Sequence, residues 1–300
     1  MRIDSNTRRG AARPVPTHRR SVIAWMLFLA LLLLGTGCAP RSPGVALVIG
    51  NSNYRHAASL ANPENDARAV SDRLEELGWD VALAIDPTRS ELEQSVRSFD
   101  QALSESKKAV FFYAGHGMQI NGKNYLIPVD FKPSKRIDLE RETVPLDEAL
   151  GWMKRPDNQL AVFLDACRDN PFESQIASAR TRGLAIVEST PSTPSSRSTR
   201  SGAQIQLGRG LAEVDTSAGT FIAYATQPGN VALDGGGTHS PFTEALLEYL
   251  PKNNKDIGWV LQQVRKDVLE STGGKQVPWD HSSLTNPFVV NPKQRAAPPP

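Results

Sequence analysis

The chain has 300 residues, 39% of them hydrophobic and 22% charged, with a formal net charge of +2. This is an ordinary globular composition, with length for one large domain or two small ones. Six arginines against Asp4 give residues 1–20 a net charge of +5 and leave −3 on the remainder, so the slight basicity is no argument for nucleic-acid binding.

The basic start points to export. Arg19 and Arg20 precede residues 22–34, thirteen positions without a charge, and small residues then lead to Cys38. Basic, apolar and small-residue regions in that order are a signal peptide, and thirteen residues fall short of the ~20 that cross a membrane. Leu34-Gly35-Thr36-Gly37-Cys38 also resembles the lipobox of bacterial lipoproteins, which implies lipidation of Cys38 and an exported protein of the cell envelope, periplasmic and tethered to a membrane. The expected boundaries are an export signal over residues 1–37, a tether over 38–43, a folded domain over 44–290 and a loose tail over 291–300. With Cys38 lipidated, Cys167 is the one thiol left, and no intramolecular disulfide can form.

From residue 44 onward, apolar strands alternate with amphipathic helices. Residues 45–49 read as a buried strand. A helix follows, with Asn62 as its cap, Pro63 at its first turn and Gly78 as its stop. Residues 79–85 and 108–113 are further strands, with a helix over 88–103 between them. Asn121-Gly122 marks a hairpin turn. Residues 145–153 form a short helix before the strand 160–164. Later come a strand at 220–226, helices at 241–250 and 257–269, and an edge strand at 287–290. Strands separated by helices of this length predict βαβ units, hence an α/β sandwich with a mostly parallel central sheet between helical layers. Residues 173–217 interrupt the pattern, and 190–201 contain no apolar residue, so this stretch is expected to be a disordered linker between residues 44–172 and 218–290.

Two apolar strands end in chemically capable residues. Ala109-Val110-Phe111-Phe112-Tyr113-Ala114 runs into Gly115-His116-Gly117, and Leu160-Ala161-Val162-Phe163-Leu164 runs into Asp165-Ala166-Cys167. Ligands of open α/β sheets bind at the carboxyl ends of strands, so His116 and Cys167 are predicted to meet at one rim. A thiol is mostly protonated at neutral pH and needs an adjacent base to attack a carbonyl. Gly117, lacking a side chain, lets its N–H approach a substrate oxygen and, with the N–H of Cys167, form an oxyanion hole. Of the other histidines, His18 lies in the export segment, while His56, His239 and His281 lie in loop-like surroundings; His239 and His281 remain candidates to line a pocket.

These residues resemble the caspase-type cysteine peptidases, and their bacterial metacaspase-like (orthocaspase) branch in particular. The matching pieces are Ala46-Leu47-Val48-Ile49-Gly50-Asn51 with Tyr54, Asn65-Asp66-Ala67, Tyr113-Ala114-Gly115-His116-Gly117, Asp165-Ala166-Cys167-Arg168, Tyr224-Ala225-Thr226-Gln227-Pro228-Gly229 and Ser240-Pro241-Phe242-Thr243. The resemblance implies a caspase-like three-layer sandwich, a His116/Cys167 dyad and cleavage after Arg or Lys, because an acid two residues before the cysteine is the metacaspase form. It implies that Asp165 receives the basic side chain, with Asp66 and Tyr224 lining the same pocket. Arg180, Arg182, Arg197, Arg200 and Arg209 would then be targets for self-cleavage in the linker. Peptide or protein substrates and a lipid-anchored membrane contact are the expected partners. No cofactor is expected, and no metal-ligand motif is present. The rival reading is a catalytically silent caspase-fold scaffold or binding module at the envelope.

Overall fold

The computed structural model describes residues 42–104, 106–132, 139–155, 157–167, 207–208, 211–212, 214, 218–227, 230 and 232–293. The expected export segment with Cys38, nearly all of the 173–217 stretch expected as a linker, and the end of the tail lie outside the described residues. So does the Cys167 side chain, although its backbone belongs to a strand.

Six strands form the main sheet: β1 (Val45–Gly50), β2 (Asp80–Ile85), β3 (Lys108–Ile120), β6 (Gln159–Cys167), β8 (Thr220–Tyr224) and β9 (Trp279–Ser282). They lie in the order β2-β1-β3-β6-β8-β9, all parallel except β9. Both faces are covered, which is why the central strands are apolar at every position rather than at alternate ones. On one face, Val48, Phe112, Phe163 and Phe221 pack against α1 (Pro63–Glu76), α5 (Pro241–Tyr249) and α6 (Ile257–Ser271). On the other, Leu47, Phe111, Val162 and Ile222 pack against α2 (Arg89–Leu103) and α4 (Leu146–Met153). The result is the predicted three-layer α/β sandwich. Between β1 and β3 the strand order reverses direction, and such a switch point leaves a crevice at the carboxyl ends of the strands.

Local chemistry explains most boundaries. The Glu91 carboxylate accepts the Thr88 N–H at 2.8 Å at the start of α2. Gly78, at φ 84°, donates its N–H to Glu75 O and ends α1. Strand β3 is longer than predicted, continuing past His116 into a hairpin with β4 (Lys123–Leu126). At its turn Asn121 and Gly122 both have positive φ, at 51° and 80°, as a two-residue hairpin loop requires. The hairpin has a small core of its own, in which Tyr54, Met118, Tyr125, Ile127 and Phe131 pack together. Short pieces absent from the sequence reading are α3 (Leu139–Glu142), β5 (Val144–Pro145) and β7 (Leu207–Gly208).

Two expectations are corrected. Asn62 does not cap α1: its backbone is already helical, and its side-chain amide donates to Asp234 O at 2.5 Å. Residues 287–290 make one bridge, Asp256 to Val289, rather than an edge strand; Phe288 is buried and stacks on Trp79 at 6.2 Å. The edge is β9, whose Trp-Asp-His-Ser sequence has no apolar alternation to reveal it and whose Trp279 is 43% exposed.

Candidate active site

The parallel register of β3 and β6 pairs Ala114 with Asp165, Gly115 with Ala166 and His116 with Cys167. Neighbouring strands lie about 4.8 Å apart, so the backbones of the histidine and the cysteine are adjacent at the end of the ladder. His116 is 5% exposed, and the ring of Tyr54 lies against it with centroids 4.5 Å apart. Two tyrosine hydroxyls hold its backbone: Tyr54 Oη accepts the His116 N–H, and Tyr113 Oη donates to the His116 carbonyl, each at 2.7 Å. Burial, with Tyr113 alongside, pushes the Tyr54 pKa well above the usual phenol value, so Tyr54 stays neutral. Gly115 permits this packing. Its φ is 150°, and a Cβ there would sit 2.8 Å from Tyr54 Oη and 2.9 Å from the Asn51 Cβ.

Asp165, two residues before Cys167 on β6, belongs to a group of carboxylates gathered by the start of α5. Asp165 Oδ2 accepts hydrogen bonds from Ser240 Oγ and, at 2.7 Å, from Thr243 Oγ1. Ser240 Oγ in turn accepts the Thr243 N–H at 2.9 Å, capping α5, with Pro241 at its first turn. Asp66, from the first turns of α1, meets His239 Nδ1 at 2.8 Å and accepts the Ser240 N–H at 3.3 Å. Asp234 is anchored by the Ala61 N–H at 2.9 Å, in a loop folded back on itself at Gly235, φ 86°. Burial and the charge of Asp165 raise the Asp66 pKa from 3.8 to about 9, against the opposing Ser240 N–H. Burial raises that of Asp165 from 3.8 to about 6; the Ser240 and Thr243 hydroxyls oppose the rise and the charge of Asp234 adds to it. Ionisation of Asp66 and of Asp165 is thus opposed by burial and by neighbouring carboxylates, and an entering cation would favour it.

The family model of the caspase domain, of the C14 peptidases, matches residues 43–289. The chain belongs to the caspase-domain family. Among curated proteins, human mucosa-associated lymphoid tissue lymphoma translocation protein 1 is 32% identical over 134 residues, 44% of this chain and 16% of that protein. Its mouse homologue is 30% identical over the same shares, so the match spans about a sixth of the length of these relatives. Among solved structures, caspase-1 from Spodoptera frugiperda superposes with a TM-score of 0.57 at 18% identity, covering 86% of this chain and 93% of that one. This likeness shows the fold.

Within the caspase domain, the other predicted site residues fall as follows. Ala114 O accepts the Asn51 N–H and His116 O accepts the Ile127 N–H, so alternate residues of β3 direct their backbone groups toward β1 and β4. Gly117 pairs with Leu126 between ladder bonds, and its N–H therefore points toward the side where β6 lies. A Cβ on Gly117 would lie 2.9 Å from Leu211 Cδ2, a close approach that favours glycine. Tyr224 is not brought to the carboxylates. It packs among Leu164 and Ile222 on the α2 and α4 face, and its hydroxyl accepts the Val214 N–H at 3.2 Å. His239, left open as a pocket residue, reaches Asp66. Sequence reasoning missed Asp234 and the donors Ser240 and Thr243 as partners of Asp165. Asp234-Gly235 carried a turn signal and Ser240-Pro241 a helix-start signal, but neither announces an ionisable contact 75 residues away in the chain. Among the described residues, no group of three or more His, Cys, Asp or Glu side chains is arranged to hold a metal ion.

Proposed function

We propose that the protein is a cysteine endopeptidase of metacaspase type that cleaves after Arg, and less readily after Lys, using His116 and Cys167. The observation carrying this reading is the β3–β6 register, which makes His116 and Cys167 lateral neighbours two residues beyond Asp165. The Cys167 thiolate adds to the scissile carbonyl, forming a C–S bond as the carbonyl π electrons move onto oxygen. N–H groups of Gly117 and Cys167 hold that oxyanion. His116 takes the thiol proton and gives it to the departing amine; water then hydrolyses the thioester with the same imidazole as base. The substrate guanidinium enters among Asp165, Asp66 and Asp234, where a planar fork of donors suits carboxylates better than a point-like ammonium does. Tyr224 has no part in that pocket. Export, lipidation at Cys38 and self-cleavage in the linker belong to the same proposal and rest on the sequence.

The experiment is hydrolysis of fluorogenic peptides ending in Arg, Lys or Asp by the full chain and by Cys167→Ala, with the chain fragments sized from the same tubes. Turnover selective for Arg and abolished in Cys167→Ala supports the reading. Turnover that survives the substitution overturns the assignment of the nucleophile, and preference for Asp overturns that of the pocket.

A further inference from the structure

His239 precedes the cap of α5, and its Nδ1 lies 2.8 Å from Asp66 Oδ1. A quarter of its side chain reaches solvent, whereas that of Asp66 is 2% exposed. Around this pair, strand β6 contributes Asp165, the loop before α5 contributes Asp234, and α5 contributes the neutral hydroxyls of Ser240 and Thr243. Among the described residues, no lysine or arginine lies within ion-pair distance of Asp66, Asp165 or Asp234; the basic side chain that reaches the group is the imidazole of His239. Asp66 and Asp165, both buried, are not readily ionised together unless a positive charge stands with them.

We propose that His239 is the proton partner of Asp66 in this pocket, a positioning and specificity-determining residue that shares one proton with Asp66 and releases it when a substrate guanidinium enters. The inference rests on the reading of the carboxylates as the receptor for a basic side chain. In the empty pocket the Asp66–His239 pair carries one proton and no net charge. The guanidinium arrives with a permanent positive charge, the pair becomes carboxylate and neutral imidazole, and the displaced proton leaves through the solvent-exposed side of His239. No covalent bond changes. The exchange favours arginine over uncharged side chains twice: they supply no charge to replace the proton, and they leave the carboxylates repelling one another. Binding and ionisation are reciprocal, so whatever a guanidinium does to the titration of His239, pH does to the affinity for the guanidinium.

The test uses the full-length Cys167→Ala protein, which can bind without turnover, and agmatine, a small guanidinium compound. The imidazole signal of His239 is followed by NMR from pH 5 to 9, assigned by its disappearance in His239→Asn, a variant that keeps a donor for Asp66. The expected result is titration of His239 at lower pH with agmatine than without it. Agmatine affinity should then rise about fivefold or more from the acid to the basic side of that titration, with the His239 share of the rise lost in His239→Asn. Identical titration with and without agmatine overturns the inference, as does failure of agmatine to bind. The outcomes separate the two readings. A shifted titration in a chain that cleaves no peptide keeps this inference and removes the peptidase, whereas Arg-specific cleavage with an unmoved His239 does the reverse.

Discussion

Replacing Tyr54 by Phe removes one oxygen atom from beneath the proposed catalytic base and leaves the ring contact in place. That oxygen accepts the His116 N–H at 2.7 Å within a buried cluster. Depriving a buried N–H of its acceptor costs about 1–3 kcal/mol. Tyr113→Phe is the matched control. It removes the donor to the His116 carbonyl, but that carbonyl also accepts the Ile127 N–H at 3.2 Å, so the loss should be about 0.5–1.5 kcal/mol, that of one ordinary hydrogen bond. Urea unfolding of both variants measures the difference directly. In peptide hydrolysis, Tyr54→Phe should lower kcat on the order of tenfold or more by loosening the imidazole, with KM little changed because the hydroxyl bonds backbone groups of His116 and Ile127 and none of the carboxylates. Equal destabilisation by the two substitutions would refute the hydrogen-bond reasoning. A change in KM at constant kcat would refute the assignment of Tyr54 to the base.

Asp165→Asn keeps an acceptor for the Ser240 and Thr243 hydroxyls while removing the charge, so stability should hardly move while kcat/KM for Arg peptides falls by about 2–5 kcal/mol; an unchanged preference for Arg would make the acid structural. Asp66 holds its proton more tightly in the folded chain, to about pH 9, than in the unfolded chain, near 3.8, so its contribution to stability is full below about pH 4 and declines as pH rises toward 9. Urea midpoints of the unliganded protein should therefore fall between pH 5 and 8.5 and flatten in Asp66→Asn, and an equally steep decline in that variant would place the titration elsewhere. Gly115→Ala pushes a methyl group against Tyr54 Oη and Asn51 at a φ of 150°, and should cost about 1–3 kcal/mol in urea unfolding together with most of the turnover; a fully stable, active variant would mean that the rim relaxes freely.

The sheet could be read from the chain because its strands are buried on both faces and its helices on one. The run from Ala109 to Ala114 and the stripe of Ala67, Val70 and Leu74 therefore have unmistakable periods. The backbone alignment of His116 with Cys167 was readable for the same reason, since both close apolar runs that a parallel sheet must align. Strand β9 was not, because an edge strand with an exposed Trp279 has no need of an apolar pattern. The carboxylate cluster was half legible. Asp165 and Asp66 stand out as acids at element ends, but their partners are fixed by how α5 docks, and a serine, a threonine and a histidine at the start of a helix look like ordinary capping chemistry. Resemblance assigns Tyr224 to the pocket, whereas strand alternation alone puts it on the face opposite Phe221 and Ala223, whose side of the sheet carries α5.

The rim divides its work between two kinds of support. His116 is held by backbone: β3 and β6 fix the register, and two tyrosine hydroxyls clamp the peptide groups on either side of it. The carboxylates are held by one helix end, where Ser240 uses its hydroxyl to cap α5 and to bond Asp165, and its N–H to reach Asp66. A sheet interior is among the stiffest parts of a protein, whereas a helix start in contact with a long loop can shift as a unit. On the proposed function, a cysteine and histidine kept in register by the sheet would need no rearrangement to react. A pocket assembled by the α5 terminus would depend on the placement of residues 234–243, and so on whatever that segment contacts. Conditions that alter its docking should therefore act on KM and on the choice of side chain first, and on kcat less.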